Sequence, residues 1–237
     1  MRHWWFPENA SSYGGDLDSL FYLILYITGA VFIIVEVGLL WFVLRYRTRG
    51  GAAAGGPGRA KAYYIEGSTR AELIWTAIPA VLVVIIAVFS QRLWSELKDP
   101  ANVPPDAQPI GVMVKQFEWQ FTMAGADGRL GTDDDITRKD HLTVQVDQAY
   151  QLELQSIDVI HSFFVPAFRL KQDAVPGMTT RAWFRATRIG EYEVACAELC
   201  GLGHYRMPAR LVVLSAEDFT RWQAAEAPPP AGGGGGQ

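Results

Sequence analysis

The chain has 237 residues, 49% of them hydrophobic and 19% charged, with 21 Lys and Arg against 25 Asp and Glu, a formal net charge of −4 and a mean hydropathy of +0.07. That balance excludes an intrinsically disordered chain and a strongly basic nucleic-acid binder. The length allows one ordinary domain plus something extra, and a positive mean hydropathy in a chain this charged points to two solvents rather than one.

The apolar residues are concentrated near the start. Leu20 to Leu44 is a run of 25 residues with one charge, Glu36, and Leu73 to Gln91 is a run of 19 with none. At about 1.5 Å of rise per residue, each can cross a hydrocarbon core of about 30 Å. The first is too long for a signal peptide, no small-residue cleavage pattern follows it, and its basic residues come after it. Both are therefore read as retained membrane helices. Residues 45–70 carry a net +5, whereas residues 1–19 come to −2 and residues 95–237 to −6. By the positive-inside rule the connecting loop is cytoplasmic and both termini lie on the other face, which in a bacterium is the periplasmic side of the inner membrane.

The expected organisation is an outer N-terminal segment (1–19), a helical hairpin (20–94), a linker (95–109), a β domain (110–215) and a C-terminal tail (216–237). The loop stretch GGAAAGGPGRA reads as a flexible linker and the terminal PPPAGGGGGQ as disordered. The second helix is expected to start at Ser68-Thr69, with Thr69 and Glu72 as a capping box. Glu72, Trp75, Thr76 and Pro79 fall on one face of it, and a face carrying an acid, a hydroxyl and a proline suits packing on partner helices. Glu36, a mid-membrane acid, is likewise expected to face protein.

Short β-type runs follow: Ile110–Phe121, Leu142–Val146, Tyr150–Gln155, Val159–Val165, Arg181–Ala186, Glu191–Cys196 and Ala209–Leu214. Alternation is clear in the second and third, and Asp147-Gln148 between them reads as a hairpin turn. Several short strands without intervening helices argue for a sandwich or barrel.

The segment Cys196-Ala-Glu198-Leu-Cys200-Gly-Leu-Gly-His204-Tyr-Arg-Met207 places two thiols, an imidazole and a thioether at offsets 0, 4, 8 and 11. Two cysteines alone on an oxidising face fit a disulfide as well as a metal. Four donors at these spacings favour a metal site, and soft sulfur with imidazole suits copper better than zinc. His161, at the end of a strand, is positioned to supply a second imidazole. Asp133, Asp134 and Asp135 sit in a Gly- and Asp-rich loop, 124–135, that lacks the residue order of a calcium hand and offers acidic charge for steering a basic partner.

Cys-x-Glu-x-Cys-x3-His-x2-Met, preceded by Asp158-Val-Ile-His161-Ser-Phe-Phe-Val-Pro166 and Leu170-Lys-Gln-Asp173-Ala-Val-Pro-Gly177, closely resembles subunit II of the haem–copper cytochrome c oxidases. The resemblance runs from the first membrane helix to about Leu214. It implies a membrane-anchored all-β chain, with a two-helix transmembrane hairpin and a cupredoxin-like Greek-key barrel carrying a binuclear CuA centre. Carried over residue by residue, Cys196 and Cys200 bridge two coppers, His161 and His204 each bind one, Met207 is a weak ligand and the carbonyl of Glu198 completes the set. The carboxylate of Glu198 is implied to reach a Mg or Mn ion at the interface with subunit I.

The same resemblance implies electron relay from a periplasmic cytochrome c, or another haem c donor, to haem in subunit I, where oxygen is reduced and protons are pumped. Subunit I and other oxidase subunits are the implied partners, the haems belong to those partners, and the isolated chain is expected to catalyse nothing. The family's aromatic run Gln-Trp-x-Trp is Gln116-Phe117-Glu118-Trp119 here, which makes Trp119, with Phe117, the candidate for accepting electrons. Glu72 matches the family's acid at the cytoplasmic entrance of a proton path. No Cys-x-x-Cys-His is present, so a haem c is expected on another chain. The competing reading is a membrane-tethered copper-binding or delivery protein, which would need exposed, exchangeable ligands and no proton-path acid.

Overall fold

The computed structural model describes residues 6–47 and 64–226. The GGAAAGGPGRA stretch and the PPPAGGGGGQ terminus lie outside the described residues. Two units are distinguished, residues 18–92 and residues 1–17 with 93–237.

The first unit holds the apolar parts of two helices, α1 (Gly14–Tyr46) and α2 (Thr69–Lys98), each long and apolar enough to cross a membrane. Their side chains through the spans are exposed, Glu36 among them. That pattern suits lipid and neighbouring helices rather than water. At the start of α2 the cap is one residue earlier than expected: the Ser68 hydroxyl accepts the Ala71 N–H and the Ser68 carbonyl accepts the Glu72 N–H. Glu72 is thus free of the capping box assigned to it with Thr69, and its carboxylate lies beside Gly67.

The second unit is a β-sandwich. Its strands are β1 (Gln108–Lys115), β2 (Glu118–Met123), β3 (Ile136–Lys139), β4 (His141–Gln145), β5 (Ala149–Ser156), β6 (His161–Val165), β7 (Leu170–Ala174), β8 (Thr180–Arg185), β9 (Gly190–Cys196) and β10 (Ala209–Leu214). They form two five-stranded sheets, ordered β3-β2-β1-β5-β8 and β4-β10-β9-β6-β7. The β1–β5 and β4–β10 pairs are parallel and the other ladders antiparallel. Alternate residues supply the core: Ile110, Val112 and Val114 of β1, Trp119 and Phe121 of β2, Leu152 and Leu154 of β5, Phe163 and Val165 of β6, and Leu211 and Val213 of β10. This period of two turns one face of each strand inward.

Three readings of the sequence change. Ile110–Phe121 is not one strand but the β1–β2 hairpin, turning at Gln116-Phe117 with Ile110 opposite Met123. Asp147-Gln148 does not close a hairpin, because β4 and β5 belong to different sheets and the chain crosses between them there. Residues Ala216–Glu226, placed in the tail, form a helix, α3. Ser215 caps it by accepting the Asp218 N–H, and Phe219 is buried.

The N-terminal segment is stitched to the sandwich. Ala10 donates its N–H to the Ala167 carbonyl and accepts from Thr187 N–H, Ser12 N–H donates to the Arg185 carbonyl, and the Ser11 hydroxyl donates to the Phe168 carbonyl. The start of α1 and the end of α2 therefore both belong to the β unit, as a two-span hairpin requires.

Phe163 is fully buried, with its ring edge-on to Trp119 at 5.8 Å and to Phe121 at 6.2 Å. Phe163→Ala is expected to destabilise the β unit by about 3–5 kcal/mol. Denaturant unfolding followed by tryptophan fluorescence checks it.

Candidate metal centre

Four parts of the chain converge at one end of the sandwich. His161 opens β6 and Cys196 closes β9, and the ladder that pairs Phe163 with Cys196 sets these two ends side by side. The loop 197–208 then carries Cys200, His204 and Met207 back to β10, with a single 3-10 turn, His204–Arg206, as its only regular structure. The β1–β2 turn packs against that loop.

The donor atoms form a chain of contacts. Cys196 Sγ lies 3.9 Å from His161 Nδ1, 3.2 Å from the Glu198 carbonyl oxygen and 3.9 Å from Cys200 Sγ. Cys200 Sγ lies 3.6 Å from His204 Nδ1 and 3.4 Å from Met207 Sδ. A disulfide needs sulfurs about 2.05 Å apart, so both thiols are free. His161, Cys200 and Met207 are buried, while Cys196, Glu198 and His204 are half-buried.

Around the donors is a second layer of hydrogen bonds. His161 Nε2 lies 2.9 Å from Asp158 Oδ1. A carboxylate only accepts, so Nε2 carries the proton and the Nδ1 lone pair is left facing Cys196, the tautomer a metal ligand needs. Asp158 also accepts the N–H groups of Gln116 and Val159, both at 2.7 Å. Burial works against ionisation of Asp158, yet the bonds from Gln116, His161 and Val159 together hold its carboxyl below the usual range.

The β1–β2 hairpin grips the loop at two carbonyls. Gln116 Nε2 donates to the Cys200 carbonyl at 2.6 Å, and Trp119 Nε1 donates to the Met207 carbonyl at 2.9 Å. Between these bonds the Phe117 ring occupies the space above Gly203, where a Cβ would come within 2.4 Å of a ring carbon. Gly201 has φ +129°, a conformation that favours glycine, and a Cβ there would meet Gln116 Nε2 at 2.8 Å.

Residues 114–215 match the family described as cytochrome c oxidase subunit II, periplasmic domain, and residues 2–93 match its transmembrane domain. The chain belongs to the cytochrome c oxidase subunit II family. It is 32% identical to the alternative cytochrome c oxidase subunit 2 of Bradyrhizobium diazoefficiens, over 92% of this chain and 83% of that one. It is 31% identical to cytochrome c oxidase subunit 2 of Thermostichus vulcanus, over 94% and 78%. Among solved structures, the periplasmic domain of subunit II of cytochrome oxidase from Bradyrhizobium japonicum is 26% identical with a TM-score of 0.47, covering 52% of this chain and 96% of that one. The subunit II chain is thus a membrane-anchored oxidase subunit with a cupredoxin-like β unit, and its His161, Cys196 and Cys200 cluster supports a copper centre.

The expected positions fall into four groups in this subunit. His161, Cys196, Cys200, His204, Met207 and the Glu198 carbonyl come together as described. Phe117 is half-buried against the loop, but Trp119 has no exposed surface, so a donor protein cannot touch it directly. Glu72 belongs to the helical unit, in the first turn of α2. In the loop 124–135, Asp134 accepts from Asp127 N–H and from the Thr132 hydroxyl, and Asp135 accepts from Gly131 N–H, so these acids build the loop itself. The roles of Gln116 and Asp158 were not legible as spacing, although both lie inside quoted motifs.

Removal of the Gln116 clamp by Gln116→Leu is expected to cost about 1 kcal/mol of stability and to lower copper retention. The check is copper per chain after dialysis against a chelator, with Arg181→Gln, which breaks an exposed pair with Glu153, as the neutral control. The pH dependence follows from Cys200, whose thiol is pushed up to about 11 by burial and by the charge of neighbouring Cys196. It is therefore protonated at neutral pH without metal, and copper binding must expel that proton. Expulsion of that one proton contributes about a tenfold rise in apparent copper affinity per pH unit, so competitive titration should give a slope of at least that size. For the metal-free fold the sign reverses: the stabilisation from the neutral thiol is present below the ordinary thiol range and is lost as pH climbs toward about 11.

Proposed function

We propose that this chain is the electron-accepting subunit of a proton-pumping respiratory haem–copper oxidase, with its β unit in the periplasm and a binuclear copper centre held by Cys196, Cys200, His161, His204, Met207 and the Glu198 carbonyl. The observation that carries the reading is the unbroken run of contacts through these six donors, around two free thiols. When bound, copper would be held by the thiolates of Cys196 and Cys200 with the other donors and would supply a one-electron carrier at this site. The chain's own residues supply the rest. Asp158 fixes the tautomer of His161, Gln116 and Trp119 fix the loop carbonyls, and the sandwich core excludes water behind them.

Three features support assembly and donor docking. Leu199, Leu202 and Tyr205 project from the loop almost fully exposed, Leu202 at 97%, which suits a protein partner better than water. Phe117, half-buried against the loop, is the aromatic through which electrons arrive from a cytochrome c or equivalent haem protein, with the fully buried Trp119 two residues on. The −6 charge of residues 95–237 favours encounter with a basic donor. On the opposite face, Glu72 is proposed as the entrance of a proton path into subunit I. The carboxylate of Glu198 is proposed to meet a Mg or Mn ion at that interface. The burial of Cys200, Met207 and His161 speaks against a delivery protein, whose ligands must exchange.

Copper analysis with electron paramagnetic resonance on the purified complex tests the centre. Two coppers per chain with an unpaired electron shared between them is the expected result. A single-ion spectrum, or absence of copper, would sink the assignment. For the donor path, Phe117→Leu should slow reduction by cytochrome c several-fold with the copper spectrum unchanged, read by stopped-flow absorption.

A further inference from the structure

The apolar span of α1 begins at Leu20 and that of α2 ends at Gln91. Leu17 and Trp94 each lie three residues outside those spans, about 5 Å at 1.5 Å per residue. That is the depth of the interfacial layer, which adds roughly 5–7 Å on each side of the hydrocarbon. At this level the β unit and the adjoining helix ends enclose a groove of about 180 Å³.

Its lining is divided by chemistry. Leu17, Trp94 and Leu97 make an apolar wall, and Lys98, Arg169 and Lys171 bring three cations, with no acidic side chain in the lining. Trp94 is also largely exposed, as suits an aromatic at a membrane surface. The ammonium of Lys98 is held by the Gln172 amide oxygen at 2.6 Å and feels the charge of Asp173 from farther off. Lys171 has only a loose approach to Asp173, at 3.8 Å, and the same carboxylate oxygen already accepts the Ser162 hydroxyl at 2.6 Å. Arg169 donates to the Pro166 and Pro7 carbonyls and lies over the Phe6 ring, so it is already engaged and is not counted toward a ligand. Trp183, also in the lining, has a buried indole N–H with no hydrogen-bond partner among the described residues.

A buried donor without an acceptor is rare in a folded chain. Beside Lys98 and Lys171 it marks a place for an anionic oxygen, and beside an apolar wall at a span end it marks a place for an acyl chain. We propose that this groove binds an anionic phospholipid, with the phosphate among Lys98, Lys171 and the Trp183 N–H and the acyl region along Trp94 and Leu97. A soluble anion would use the cations but would leave the apolar wall wet. A zwitterionic lipid would bring its own cation into a place already positive.

The test uses the assembled oxidase, stripped of lipid by detergent exchange and placed in phosphatidylcholine vesicles that contain a minor fraction of photoreactive phosphatidylglycerol. Cross-links are mapped by mass spectrometry. The expected result is labelling within the segments around Trp94–Lys98 and Leu170–Trp183, reduced several-fold in Lys98→Gln/Lys171→Gln and reduced in Trp183→Phe. Excess inorganic phosphate should leave it unchanged. Equal labelling by photoreactive phosphatidylcholine in the unmodified oxidase overturns the proposal without recourse to any variant. So does competition by inorganic phosphate, undiminished labelling in the double variant, or cross-linking of these segments to another oxidase subunit in place of lipid. Copper absorption of each variant confirms that the β unit is folded.

Discussion

The loop between β9 and β10 has no sheet partner of its own, yet it must keep two thiols, an imidazole and a thioether within contact of one another. It can do so because the β1–β2 hairpin holds it by its backbone. Gln116 takes the Cys200 carbonyl and Trp119 takes the Met207 carbonyl, which are the two ends of the loop's sulfur set. Gly201 and Gly203 let the hairpin come close enough for this, since a Cβ at either place would collide with Gln116 or Phe117. His161 is restrained separately, by the start of β6 and by Asp158, and Asp158 in turn accepts the Gln116 N–H. One residue of the hairpin turn therefore reaches both the loop and the partner of the strand-borne histidine. Restraints that act on backbone and second-layer groups hold with or without metal, which is how a site of this kind keeps its geometry through a change of charge.

The two membrane helices and the ligand order were legible in the sequence because both are local signals. Length and apolarity define a span, and the offsets of Cys196, Cys200, His204 and Met207 define a loop able to wrap one point. Strand alternation likewise marked most of the core. What escaped was decided by distant partners. The turn at Gln116-Phe117 contains no glycine, proline or asparagine; it is held by Asp158, 42 residues away. The β4–β5 connection has the look of a hairpin, but β4 finds its parallel partner in β10 and β5 finds its own in β1. The α3 helix carries its own capping signal at Ser215 and Asp218, which a reading of the C-terminus as tail passed over.

The N-terminal segment illustrates the same limit with a functional consequence. Residues 7–13 carry no strand pattern, yet Ala10, Ser11 and Tyr13 are buried against β8 and the turn after β6. The Tyr13 hydroxyl donates to the carbonyl of Trp183, and its ring stands edge-on to that indole at 5.3 Å. These contacts commit the entering chain to the β unit. On the proposed orientation, the charge rule that sets the face of the basic loop also sets the face on which this segment enters the β unit.

Trp119 shows how one side chain can serve fold and site without contact with a partner. Its ring is stacked over Phe121, edge-on to Phe163 and 6.3 Å from His161, so it joins the sandwich core to the strand-borne ligand. Its N–H simultaneously fixes the Met207 end of the loop. A residue with both duties cannot be moved to the surface, and its complete burial keeps it out of direct contact with any partner, whereas Leu199, Leu202 and Tyr205 are exposed. On the proposed function, the hairpin then divides the work between its two aromatics. Phe117 faces the partner and can vary with it, while Trp119 is tied to the core and the loop, where a change would disturb the donors themselves.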